Sequence, residues 1–209
     1  MPLLQTFLQH YAVNEARAVA PFIAGSRVLD LGAGENYVGA ALLSRYGIWV
    51  CSADVGAFRR VPGPYVIYDG LRLPFVARAF DTTLTLLTLH HCENPELVLD
   101  EAVRVTRKRI IIIESVYRNR RERFWLDLLD HRLNRYRHGG GMRIPVSFRR
   151  PEEWQGLFES RGLRIIEAAW LGPWWERLVH HPLLFVLSVP YDARVHPGTL
   201  DLSVQFTNP

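Results

Sequence analysis

The sequence predicts an α/β protein: a doubly wound, seven-stranded, mainly parallel sheet with helices on both faces. Three observations predict it. Short apolar runs alternate with helix-period segments from Arg27 through Val116. The run Arg109–Val116, "RIIIIESV", is unbroken, as a strand covered on both faces requires. Acidic residues recur where runs close, at Asp30, Asp54, Asp69 and Glu114. A parallel sheet gathers its ligand-binding side chains beyond the carboxyl ends of its strands.

The elements follow in order. Residues 3–23 carry Leu4, Phe7, Leu8, Tyr11, Ala18, Val19, Phe22 and Ile23 at largely helical spacing, with a break expected near Val13-Asn14. Arg27–Leu31 reads as a buried strand. Tyr37–Tyr46 reads as a helix stopped by Gly47. Ile48–Ala53 is a second strand closed by Asp54, Tyr65–Tyr68 a third closed by Asp69, and Thr82–Leu89 a fourth. In "ENPELVLDEAVRVTRK", Asn94 caps a helix, Pro95 occupies its first turn and Glu96 suits its positive end. Leu97, Glu101 and Val105 are expected on one face, beside Val98 and Ala102.

The segment 117–150 differs in composition, with ten arginines, several aromatics and a Gly139–Gly141 break. Its first part is expected to be amphipathic, with Phe124, Leu128, Leu129, Leu133 and Tyr136 sharing a face. A helix from Pro151 to a stop at Gly162 follows, then strands "LRIIEAAWL" and "PLLFVLSVP" and a loose tail from Tyr191. The 209 residues suit one domain. It divides into a helical cover (1–25), a cofactor-binding half (26–116), an arginine-rich lid or acceptor segment (117–150), a final helix and strands (151–190) and the tail (191–209).

The formal charge is +4, and Lys108 is the only lysine. Such a balance suits an acidic small molecule, a nucleic acid or an anionic membrane without choosing among them. Cys51 and Cys92 belong to no CxxC pair, so neither a disulfide framework nor a cysteine zinc site is expected. The N-terminus lacks a basic stretch followed by a long apolar core, and no run of about 18 apolar residues exists. The expectation is a soluble, cytoplasmic chain of unread oligomeric state.

The chemistry begins in "RVLDLGAGENYVGA". Gly32 and Gly34 allow a tight turn and close backbone approach. A dinucleotide fingerprint would place a third glycine where Tyr37 stands, and Glu35 would repel a pyrophosphate. Asp54 lies 24 residues beyond Asp30, where a carboxylate accepts from ribose hydroxyls. Three acidic strand ends around a glycine turn suit a cationic ligand that carries a ribose, as S-adenosylmethionine does.

At this point "VLDLGAGEN", "SADVG", "YDGLRLPF", "AFDTTLTLLTLHHCENPELVLDEAVRV" and "IIIIES" stand in sequence order. Together they resemble the class I S-adenosylmethionine-dependent methyltransferases, in the type 11-like small-molecule group that includes the quinone-biosynthesis enzymes. The resemblance covers about residues 26–116 and implies a Rossmann-like fold. It implies that Asp30 holds the cofactor's ammonium, with Gly32, Ala33 and Gly34 under its methionine part. Asp54 would accept both ribose hydroxyls, with Val55 against the adenine. Asp69 would accept from the adenine amino group beside Gly70 and Leu71. Leu89 and His90 would lie near the methionine portion and the methyl group. Asn36 stands where the family writes its last glycine and is counted with the expected cofactor-binding residues, and "TRKR" replaces the family's Lys-Pro-Gly-Gly turn.

His90 and His91 are the candidate general base or acceptor-pocket lining, since imidazole titrates near neutrality. Adjacent residues on an extended chain point to opposite sides, so no metal site is expected there. Glu101 and Arg104 read as a structural ion pair or a solvated one. Arg118, Arg121, Arg143 and Arg149 are candidate contacts to an anionic acceptor. The acceptor is expected to be a small molecule, anionic or lipid-like. Peripheral membrane contact through the basic, aromatic segment stays open. An RNA methyltransferase and a non-catalytic S-adenosylmethionine-binding or interaction protein are the alternatives. Leu89-His90-His91-Cys92 lacks the Asn/Asp-Pro-Pro-aromatic motif of base amino-methylation, and Cys92 lacks the Pro-Cys setting of cytosine C5 chemistry.

Overall fold

The computed structural model describes residues 2–138, 147–172 and 181–190. Seven strands form one sheet: β1 (Val28–Leu31), β2 (Val50–Asp54), β3 (Tyr65–Ile67), β4 (Phe80–Leu86), β5 (Thr106–Ser115), β6 (Arg164–Trp170) and β7 (Pro182–Ser188). Their order is β3-β2-β1-β4-β5-β7-β6. Pairings from β3 through β5 are parallel, and β7 runs antiparallel to both of its neighbours. The chain winds outward from β1 through β2 to β3, then returns to β4 on the other side of β1. The reversal between β1 and β4 opens a crevice beyond their carboxyl ends, where such sheets take ligands.

β1, β4 and the part of β5 from Ile110 onward are buried because apolar layers cover both faces. On one face lie α1 (Pro2–Val19) and α2 (Tyr37–Tyr46), which supply Ala12, Ala16, Val19, Val38, Ala41 and Leu42. On the other lie α3 (Pro95–Val105) and α5 (Pro151–Glu159), which supply Val98, Leu99, Ala102, Trp154 and Phe158. Asn94 caps α3 as expected, its Oδ1 accepting from the Leu97 amide at 3.2 Å. α4 (Arg120–His138) crosses the carboxyl end of the sheet, where Leu126 packs with Tyr117 and Phe148. Among the described residues no helix is long and apolar enough to cross a membrane.

Several expected boundaries shift, each for a physical reason. α1 runs unbroken through Val13-Asn14 because Ala12, Ala16 and Val19 bury a continuous stripe on the sheet. β4 ends at Leu86, and Leu89–His91 forms a 3₁₀ turn. β5 begins at Thr106, so "TRKR" is strand and α3 passes into β5 without a connecting turn. The buried stripe of α3 is Val98, Leu99, Ala102 and Val105, while Leu97 faces outward. Glu101 is tied to Arg104, and the pair grips the 71–79 connection: Glu101 accepts from the Leu73 amide, and Arg104 donates to the carbonyls of Leu73 and Phe75. On α4, Leu126 is buried whereas Phe124 and Trp125 are exposed. Its inward residues are therefore Glu122, Leu126 and Asp130, four apart. Leu133, Tyr136, the glycine break and the tail carry no described side chains.

Candidate active site

The first loop is built by two backbone constraints. Gly32 has φ 81°, and a Cβ there would clash with the Thr88 side chain, so β1 can approach the end of β4 only through glycine. Asn36 has φ 68°, a conformation that asparagine tolerates better than most residues. Its side chain accepts from Ser52 Oγ at 2.8 Å and donates to the carbonyls of Val61 and Pro62. Asn36 is 3% exposed and lies off the cavity wall. The expected ligand role is therefore corrected to a strut: Asn36 keeps a glycine-like backbone and pins the loop to the chain before β3.

The crevice is a cavity of about 870 Å³. Gly32, Ala33 and Gly34 line it, with Asp30, Asp54 and Val55 from the ends of β1 and β2. Asp69, Gly70 and Leu71 follow from the connection after β3. Asp54 accepts the Gly34 amide on Oδ2 and the Val55 amide on Oδ1, each at 2.7 Å. A carboxylate has about four lone-pair sites, so both oxygens retain acceptor capacity toward a ligand. Asp30 is buried, and its Oδ2 has no hydrogen-bond partner. Burial, then the charge of Asp54, pushes the Asp30 carboxyl up to about 7. Burial also raises Asp54, against the backbone amides that lower it. Asp69 is exposed and sits below the usual carboxylate range, because its Oδ1 accepts from the amides of Arg72 and Leu71.

A buried, unpartnered acid beside two further carboxylates calls for a cation with hydroxyl and amino donors. The glycine turn leaves room for it against the backbone. These residues fit S-adenosylmethionine. Leu89 does not share the wall: it is fully buried in the core beneath the turn, so its expected cofactor contact is corrected to packing.

The far wall is apolar. Phe7, Leu8 and Tyr11 reach it from α1, Leu126 and Leu129 from α4, and Phe148 from the segment before α5. His90 and His91 lie between the two halves on the 3₁₀ turn after β4. His90 Nδ1 meets Glu114 Oε2 at 2.5 Å, and Phe148 stacks on its ring with centroids 4.8 Å apart. Glu114 is fully buried, its Oε1 accepting from the amides of Thr88 and Leu89. Burial disfavours the charged His90 ring, but the charge and hydrogen bond of Glu114, with Asp130 behind them, raise its pKa overall. The Cys92 thiol is pushed up to about 12 by burial and by the charges of Glu114 and Asp54, so it is no thiolate nucleophile.

The expected arginine contacts are not brought together. Arg118 is engaged by Glu122 and lies over Trp170. Arg149 pairs with Glu96 and stacks on Trp154. Arg121 is exposed and away from the cavity, and Arg143 lies outside the described residues. Among the described residues no arginine or lysine lines the wall, which instead carries Glu15, Glu35, Glu93 and Asp130. The sequence pattern alone does not single out Asp130. Its signal is an acid on the inward line of α4, at a four-residue step from Leu126. Thr88 is not singled out either, because a threonine opposite Gly32 becomes legible only when β1 and β4 are known to be neighbours.

The parallel sheet, the acidic strand ends and the glycine turn define the class: a Rossmann-like methyltransferase fold. Residues 29–113 match the family described as "Methyltransferase domain". That stretch, the cofactor-binding half of the sequence, is similar to the class I S-adenosylmethionine-dependent methyltransferases. The chain is 38% identical over 119 residues to a demethylmenaquinone methyltransferase of Clavibacter sepedonicus, covering 51% of this chain and 47% of that protein. It is 32% identical over 110 residues to the same-named protein of Streptomyces griseus subsp. griseus, covering 47% of each. The chain thus spans about half the length of the curated relatives it matches. In fold it is similar to geranyl diphosphate C-methyltransferase from Streptomyces coelicolor A3(2), solved with S-adenosyl-L-homocysteine. That likeness has a TM-score of 0.64 and 12% identity, and covers 84% of this chain and 75% of the other.

Proposed function

We propose that the protein transfers a methyl group from S-adenosylmethionine to a small, largely apolar acceptor of the quinol type. The observation that carries this reading is the buried, unpartnered Asp30 carboxylate facing the same cavity as Asp54 and the Gly32–Gly34 turn. The bound cofactor supplies a methyl group already activated on a sulfonium. The protein's own contribution is then positioning and exclusion of water.

In this proposal Asp30 takes the cofactor's ammonium, Asp54 its ribose hydroxyls and Asp69 its adenine amino group. Val55, Gly70 and Leu71 lie alongside the base. The aromatic and aliphatic side chains of α1, α4 and Phe148 hold the acceptor. The relatives named for demethylmenaquinone favour a quinol, and the apolar far wall agrees. Charge selection by arginines is not part of the proposal, because among the described residues no arginine or lysine lines the cavity. His90 and His91 border the acceptor's reactive end, with Glu114 fixing the His90 ring. The test is transfer of labelled methyl to a demethylated naphthoquinol. Turnover that disappears in Asp54→Asn supports the proposal. Cofactor binding without transfer to quinol or phenol acceptors would overturn the acceptor class.

A further inference from the structure

The 3₁₀ turn after β4 changes what its histidines can do. On an extended chain adjacent side chains diverge. On a turn with about three residues per revolution they do not, and here the two imidazole centroids lie 4.0 Å apart. Asp130 reaches the pair from α4. Its Oδ1 is 3.5 Å from His91 Nε2 and 4.0 Å from His90 Nε2. One donor atom from each of the three residues lies within 4.8 Å of the others. The turn, which replaces the extended chain expected there, thus places a third candidate ligand beside this pair.

We propose that His90, His91 and Asp130 form a binding site for a divalent ion of the zinc class. Two imidazoles and one carboxylate are the donor set of open zinc sites, which keep a further position for water or substrate. Bond lengths of about 2.0–2.1 Å in a tetrahedral arrangement require donors about 3.3 Å apart. The two Asp130 separations need contractions of well under 1 Å, and the separation between the imidazole donors, within 4.8 Å, needs at most about 1.5 Å, within reach of side-chain rotation. Glu114 supplies the outer partner that ligating histidines characteristically have. Its Oε1 is anchored by the amides of Thr88 and Leu89, and its Oε2 holds His90 Nδ1 at 2.5 Å. That contact orients the ring so that Nε2 faces Asp130.

All three candidate ligands line the cavity, so the open position faces its interior. An ion there would take an oxygen of a cavity ligand, a hydroxyl or carbonyl, and would acidify a hydroxyl so held. Ion binding itself does not depend on the methyl-transfer reading. Only the consequence for an acceptor oxygen does.

The test uses the full chain, stripped with a chelator and titrated with Zn2+ or Co2+. Stoichiometry is read by elemental analysis, and coordination by the visible d–d bands of the cobalt form. The proposal expects one ion per chain and bands of a four- or five-coordinate site. Asp130→Ala and His91→Ala should each weaken ion affinity by tenfold or more, with S-adenosylhomocysteine affinity unchanged. Glu114→Gln should weaken the ion by about tenfold to hundredfold, with folding checked by circular dichroism. Equal ion affinity in wild type and both ligand variants would overturn the site, as would no ion at micromolar concentration. Either failure leaves S-adenosylhomocysteine binding intact. The loss of that binding is the separate signature of a wrong methyltransferase reading.

Discussion

Replacing Asp30 by asparagine should stabilise the ligand-free protein while weakening cofactor binding. The Asp30 carboxyl is buried beside Asp54; burial first, then that neighbouring charge, raises it from 3.8 to about 7. Below pH 4 both folded and unfolded chains hold this proton, and the site costs nothing. Between pH 4 and 7 only the folded chain holds it, so stability falls as pH rises. Above 7 the full penalty stands at about 3 pKa units, or about 4 kcal/mol at 1.36 kcal/mol per unit. At pH 5 the same linkage gives only about 1.6 kcal/mol. Asparagine removes the charge but leaves a buried amide, which costs about 1–3 kcal/mol if unpartnered. The net gain expected at pH 8 is therefore about 1–3 kcal/mol, and it should shrink or reverse at pH 5. Urea denaturation of the ligand-free protein at the two pH values measures it. The same variant should bind S-adenosylhomocysteine about tenfold to hundredfold more weakly, from the loss of one charge-assisted hydrogen bond of about 1.5–3 kcal/mol. A variant that is equally destabilised at both pH values would refute the buried-charge argument. Unchanged affinity would refute the role assigned to Asp30.

Three further outcomes are expected. Wild-type affinity for S-adenosylhomocysteine should fall as pH drops below about 7, because the protonated Asp30 cannot pair with an ammonium; calorimetric titration from pH 8 to 6 reads it. Asn36→Ala should destabilise the fold by about 2–4 kcal/mol, losing three side-chain hydrogen bonds and a tolerated positive φ. Chemical denaturation measures that loss, and cofactor affinity of the folded variant should stay within about threefold. The double change of His90 and His91 to alanine should cut turnover by about a hundredfold or more while cofactor affinity is retained; unchanged turnover would remove both residues from the reaction.

Much of this fold was legible because burial dictates its pattern. The four-isoleucine run can only be a strand covered on both faces, and Asn94-Pro95 can only open a helix. The gathering of acidic residues on one side of the crevice was legible for a related reason. Asp30, Asp54 and Asp69 close successive elements, so strand topology alone brings them together. The opposite side was not legible, because it depends on side-chain direction rather than on period. The 3₁₀ turn at Leu89–His91 looks like the end of a strand in sequence, yet it turns two histidines toward each other. α4 carries so many arginines and aromatics that its inward line, Glu122, Leu126 and Asp130, is hidden in the pattern. The arginines looked like an anion site from composition, but packing spends Arg118 and Arg149 on Glu122 and Glu96. Asn36 looked like a damaged glycine loop, and only its φ and its three partners show a strut.

The most direct measurement of the central claim is equilibrium binding of S-adenosylhomocysteine to wild type and to Asp54→Asn. Each Asp54 oxygen already accepts at least one backbone amide and keeps capacity for a ribose hydroxyl. The account predicts one site per chain in the wild type and at least a hundredfold weaker binding in the variant, from two weakened hydrogen bonds to a charged group. Equal affinity in the two proteins, or no binding to the wild type, would contradict it.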